Sequence, residues 1–130
     1  VRLEQYVLTV AVEAKLAKEI GTTIILPAAL RYQTELAHNV AALKAAGVEA
    51  SIAALEAVSA PIADLEAGLG KLTAALSNHS AESALDEAKH AQEELLPAMA
   101  LIRTAADALE GMVADDLWPL PTYQEMLYIL

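Results

Sequence analysis

The stretch VEASIAALEAVSAPIADLEAGLGKLTAAL, residues 48–76, decides the fold class. Its apolar residues fall at Val48, Ile52, Leu55, Val58, Ile62, Leu65, Leu69, Leu72 and Leu76. The intervals alternate between four and three, with one repeated three ending at Val58. Alternating fours and threes put every one of these side chains on a single helical face. The spacing predicts one long helix with a heptad seam. The repeated three is a stammer, which overwinds a helix pair locally. Pro61 lies beside the slip, so both mark one distortion.

The pattern repeats on either side. Residues 1–46 carry apolar positions at Leu16, Ile20, Leu26, Leu30, Ala37 and Val40, close to the helical period. Gly21, Thr22 and Thr23 are weak helix formers, and Pro27 lacks an N–H and crowds the carbonyl four residues back. A kink is expected over residues 23–27, because the periodicity resumes at once. Gly47 is the natural stop. Residues 81–113 form a third helix with a seam of Leu85, Ala88, Leu95, Met99, Ile102, Ala106, Leu109 and Val113, kinked at Pro97. Asn78 or Ser80 is its expected N-cap. The strings Leu26-Pro27-Ala28 and Leu96-Pro97-Ala98 match, which leaves internal duplication open.

The end of the chain is different. Asp115-Asp116-Leu117-Trp118-Pro119-Leu120-Pro121 is irregular and stiffened by proline. Thr122 then caps a short helix over residues 123–128, with Glu125 as its capping-box partner. The expected architecture is all-α: an antiparallel bundle of three long helices, two kinked at proline, plus a short C-terminal helix. Residues 1–130 form one helical domain, with residues 114–130 as a tail packed on the bundle. Short connections between long helices force antiparallel neighbours.

Composition agrees and narrows the function. Of 130 residues, 29 are Ala and 21 are Leu, both good helix formers. Acids outnumber Lys plus Arg by 18 to 8, for a net charge of −10. That balance argues against nucleic acid and against docking on an anionic membrane surface. The longest run without a charge is 11 residues, from Ile20 to Leu30, about half a membrane span. There is no Cys, so thiolate chemistry and disulfides are excluded. No signal peptide opens the chain, and a cytoplasmic location is expected. The first residue is Val, so a piece of something longer is expected.

Several patterns invite a chemical reading. Glu35-Leu36-Ala37-His38 and Glu87-Ala88-Lys89-His90 both have the Glu-x-x-His spacing of di-iron bundles. Helical phase turns them away from that role. Glu87 falls roughly 80° and His90 roughly 140° from the expected inner face, and Glu35 lies opposite its own. Gly68-Leu69-Gly70-Lys71 falls short of a phosphate loop, because Leu occupies the positions that need Gly and Ser or Thr, within a helix. Two small residues letting helices approach is the plainer reading. Ser77, His79, Ser80, Ser83 and Asp86 are local to a turn, with no oxyanion hole, and read as capping residues. Glu93-Glu94 and Asp115-Asp116 read as solvated charge. No catalytic, metal or cofactor residue is assigned.

What remains points to contact surfaces. Arg31 stands alone after the uncharged run, beside Tyr32. It reads as a structural ion pair with an acid such as Asp107 or Glu110, or as a contact to a partner. Trp118, Tyr123, Met126, Leu127 and Tyr128 concentrate aromatic and Met side chains in an otherwise aromatic-poor chain. Such side chains favour interface cores, although capping the bundle's own core would use them equally well.

Three strings carry a specific resemblance. They are Ile24-Ile25-Leu26-Pro27-Ala28-Ala29-Leu30-Arg31-Tyr32-Gln33, Leu95-Leu96-Pro97-Ala98-Met99 and Asp116-Leu117-Trp118-Pro119-Leu120-Pro121-Thr122-Tyr123-Gln124-Glu125-Met126-Leu127. With Val12-Glu13-Ala14, and Arg103 through Ala108-Leu109-Glu110, their order and spacing resemble the C-terminal region of type III glutamine synthetase. The resemblance implies a parent enzyme that joins ammonia to glutamate with ATP and Mg, as a ring-based oligomer whose catalytic barrel lies upstream. It implies for this chain a non-catalytic helical extension serving structure, assembly or regulation. Its partners would be the rest of the parent chain and other subunits. A freestanding helical interaction module is the alternative; a metal-binding four-helix bundle is a distant third.

Overall fold

The computed structural model describes residues 2–77 and 83–121. Among them there are helices and connections and no strand. Helix α1 (Arg2–Ile20) passes through a π turn (Gly21–Ile25) into α2 (Leu26–Ala45). Helix α3 (Ala53–Ser77) follows. Then α4 (Ala84–His90) passes through a second π turn (Ala91–Leu95) into α5 (Leu96–Glu110). The three long helices expected from periodicity are α1–α2, α3 and α4–α5.

The two prolines explain the two π turns. Pro27 cannot bond the carbonyl of Thr23, and its ring crowds that oxygen. The wider turn before it makes room: the Leu26 N–H reaches back five residues to the Gly21 oxygen. The Leu96 N–H does the same to the Ala91 oxygen, ahead of Pro97. The matching Leu-Pro-Ala strings therefore have matching backbone, each placed just after a π turn.

Helix ends follow local chemistry. Gly47 takes φ 79°, the left-handed conformation that favours glycine. Its N–H bonds the Lys44 oxygen at 3.1 Å and the Val48 N–H bonds the Leu43 oxygen at 2.9 Å, a Schellman stop. Residues 48–52 are not helical, so the seam read from Val48 begins too early. Val48 and Ile52 are exposed, and α3 starts at Ala53, whose N–H bonds Ser51 Oγ at 3.2 Å. Ser83 caps α4 by accepting the Asp86 N–H at 3.2 Å. The expected caps Asn78 and Ser80 lie outside the described residues, as do the Thr122 cap and the helix over 123–128.

The core lies along α3, which packs chiefly against α5 and also against α2, while α1 packs against α4. Val58, Ile62, Leu65, Leu69 and Leu72 are buried, as the heptad predicts. They share one cluster with Leu95, Ile102 and Leu109 from the third long helix and with Val10 and Ile25 from the first. Every side chain in the buried set is apolar. Each large one contributes about 1.5–3 kcal/mol on leaving water. Gly68 sets the closest approach: a Cβ there would lie 2.9 Å from Ile102 Cγ1. A Cβ at Gly21 would lie 2.8 Å from Leu69 Cδ2. Polar contacts join the same helices: Gln33 Nε2 donates to Ser59 Oγ at 2.9 Å, and His90 Nε2 meets the Ala75 oxygen at 2.9 Å.

The inner face of the first helix matches its sequence reading in part: Val40 is buried, and Ile20 and Leu26 pack against the core. Leu16 and Leu30, assigned inward, are exposed, and so is Ala37. The buried line is Val10, Ala14, Gly21, Ile25, Ala28, Ala29 and Val40. Small residues there let the helix lie close to α3, where a bulky side chain would hold it away. Leu85 also departs from expectation: it is exposed, one turn ahead of the buried Ala88.

Candidate interaction surface

The proposed contact residues occupy different layers. Tyr32, on α2, is half-buried and packs against the core. Arg31, its neighbour, is exposed. Asp107 is taken by Arg103 along α5, Nε to Oδ1 at 3.3 Å, and among the described residues Arg31 makes no ion pair. Beyond α5 the chain turns at Gly111 and runs irregularly through residues 111–121. The Val113 N–H bonds the Leu109 oxygen at 2.8 Å, and the Trp118 N–H bonds the Ala114 oxygen at 3.1 Å. These bonds fold the segment back so that Val113 and Trp118 enter the central cluster, flanked by Leu117 and Leu120. Trp118 is 9% exposed, and its Nε1 is buried with no hydrogen-bond partner among the described residues. Tyr123, Met126, Leu127 and Tyr128 lie outside the described residues.

The two Glu-x-x-His pairs part company. Glu35 and His38 are exposed on α2, as phase requires. His90 does not face water as expected. It is half-buried and turned toward α3, where its Nε2 meets the Ala75 oxygen. A carbonyl only accepts, so Nε2 carries the proton and His90 donates to α3 from a neighbouring helix. A phase counted at 100° per residue runs straight through residues 91–95, whereas the π turn there adds a residue and brings His90 round toward the inner face. Among the described residues no three of His, Asp or Glu come together to hold a metal ion.

The glycines of the would-be phosphate loop also have structural places. Gly68 is buried against Ile102, while Gly70 is exposed with open space beyond it. Both lie inside α3, where the backbone N–H groups are committed to the helix.

What stands out is apolar surface left outside. Leu8, Val12 and Leu16 are 59%, 58% and 54% exposed. They are spaced by four along α1 and lie opposite Val10 and Ala14. From Leu8 a groove of about 480 Å³ runs between α1 and the α3–α4 side, with Val7, Ala11, Leu76, Ala91 and Leu95 on its apolar walls and Glu4, Lys15, Glu87 and His90 also lining it. None of the described helices is long and apolar enough to cross a membrane.

Residues 1–44, which are α1, the first π turn and most of α2, match the family described as the glutamine synthetase C-terminal domain. Nearly the whole chain aligns with part of a protein named glutamine synthetase from Bacteroides fragilis (strain YCH46). The identity is 28% over 138 positions, covering 98% of this chain and 19% of that relative. The chain therefore spans about a fifth of the relative's length. No solved structure matches. The family match and the alignment agree in what the chain is similar to, a C-terminal glutamine synthetase region.

Proposed function

We propose that this chain is the helical C-terminal region of a type III glutamine synthetase and serves the assembly or stability of that enzyme. The parent would join ammonia to glutamate with ATP and Mg, in the cytoplasm, with its active site built elsewhere in the longer chain. The alignment over 98% of the chain with a relative five times as long carries the reading. The Trp-Pro-x-Pro-Thr-Tyr string beginning at Trp118 supports the type III assignment. The helical seams support a structural role, since their apolar side chains are spent on holding helices together. Its partners are then the rest of the synthetase chain and neighbouring subunits, in an antiparallel arrangement of helices that presents one further face outward.

The test is an assay of glutamine formation from glutamate, ammonia and ATP. The 130-residue chain alone is expected to form none, and the longer chain encoded by the same reading frame is expected to form it. Glutamine made by the isolated chain would overturn the structural reading. A reading frame with no synthetase sequence beside this region would favour the freestanding module instead.

A further inference from the structure

We propose that the outer stripe of α1, Leu8, Val12 and Leu16, with the groove beside Leu8, docks on the body of the same synthetase chain. This rests on the functional reading above. Helix α1 carries aliphatic side chains on two opposite sides. Val10, Ala14 and Ala17 turn inward, and Leu8, Val12 and Leu16 turn outward beside the exposed Lys15 and Glu19. A helix facing the core on one side ordinarily presents mainly polar and charged groups on the other, and here three large aliphatics share that side. The inner side of α1 is already satisfied by α3, α4 and α5. The outer side therefore has no structural use among the described residues.

Size selects the occupant. Three side chains exposed to this degree make a patch on the order of 300 Å², the scale of a functional patch on a monomer. A stable association between free proteins needs roughly 800 Å² on each side. The stripe and its groove fall short of that, so a second copy joined through this face alone is disfavoured. A net charge of −10 on each copy adds repulsion. A partner tethered in the same chain needs much less surface, because the tether keeps its local concentration high. About four-fifths of the aligned relative lies outside the matched region, which supplies such a partner. The complementary surface is apolar where it meets the three aliphatics and carries polar or charged groups able to meet Lys15 and Glu19 between them. The family match also falls on the segment that bears this face.

The experiment uses the full-length synthetase with a benzophenone amino acid in place of Val12. After irradiation, cross-linked peptides are mapped by mass spectrometry. Docking predicts adducts within one chain, between position 12 and residues upstream of this region. It also predicts that Leu8→Glu with Leu16→Glu abolishes those adducts while far-UV circular dichroism stays unchanged. Adducts to α1 of a second copy, adducts to residues 122–130, or no adduct at all would each overturn the proposal. An enzyme that makes glutamine yet gives one of those results removes the docking face and leaves the synthetase reading standing.

Discussion

Gly68 and Gly70 stand two residues apart in α3 and should respond to the same substitution with opposite signs. Alanine is favoured over glycine in a helix by about 1 kcal/mol at either position. At Gly70 a Cβ meets nothing within 4 Å, so Gly70→Ala should realise that gain. At Gly68 the Cβ would lie 2.9 Å from Ile102 Cγ1, 3.3 Å from Ile102 N and 3.4 Å from Leu101 Cγ. Carbon atoms prefer about 3.5–4.0 Å. Ile102 Cγ1 sits close to its backbone, and Ile102 N is backbone itself, so relief requires α5 to move. Overpacking of this kind costs about 1–3 kcal/mol. The propensity gain offsets only part of it, leaving Gly68→Ala about 1 kcal/mol less stable than the parent. The two variants should therefore differ by about 2 kcal/mol, or about 8 °C in thermal midpoint for a chain of this size. Urea unfolding followed by circular dichroism measures both. If Gly68→Ala proves as stable as Gly70→Ala, the helices do not meet at Gly68 and the packing of α3 on α5 is wrong.

Other substitutions probe other parts of the same frame. Trp118→Ala should cost about 3 kcal/mol or more, since it empties a buried aromatic site; an unchanged melting midpoint would place Trp118 outside the core. Gly47→Ala forces a side chain into the left-handed conformation and should cost about 1–2 kcal/mol, read by urea midpoint. A gain in stability there would mean that the Schellman stop does not form. His90→Ala removes the bond to the Ala75 oxygen and should cost about 1 kcal/mol, whereas His38→Ala, on the exposed face of α2, should cost close to nothing.

The parts of the fold legible in the sequence are those built from large apolar residues. The α3 seam reads directly because Val58, Ile62, Leu65, Leu69 and Leu72 are both the most hydrophobic residues and the buried ones. The first helix is legible only in part. Val40 is buried and Ile20 and Leu26 pack against the core, but much of the remaining inner face is Ala14, Gly21, Ala28 and Ala29, which serve closeness rather than hydrophobicity, while Leu16 and Leu30 turn outward. Hydropathy weights leucine above alanine, so it selects the wrong side wherever helices touch through small residues. Both prolines were visible as disturbances, but their effect is a five-residue turn that keeps the helix going. For the candidate surface, the aromatic content singled out Trp118, yet nothing local told that its segment folds back beside Val113. The outer stripe of α1 was present in the sequence as Leu8, Val12 and Leu16. Only the burial of Val10 and Ala14 shows that it faces away from the core.

The role assigned to this region is tested most directly by deleting it from the full-length enzyme and measuring particle mass and thermal midpoint together. The expected result is a smaller or less stable assembly whose upstream chain still folds. A deletion enzyme with the same mass, the same midpoint and the same glutamine formation would contradict it.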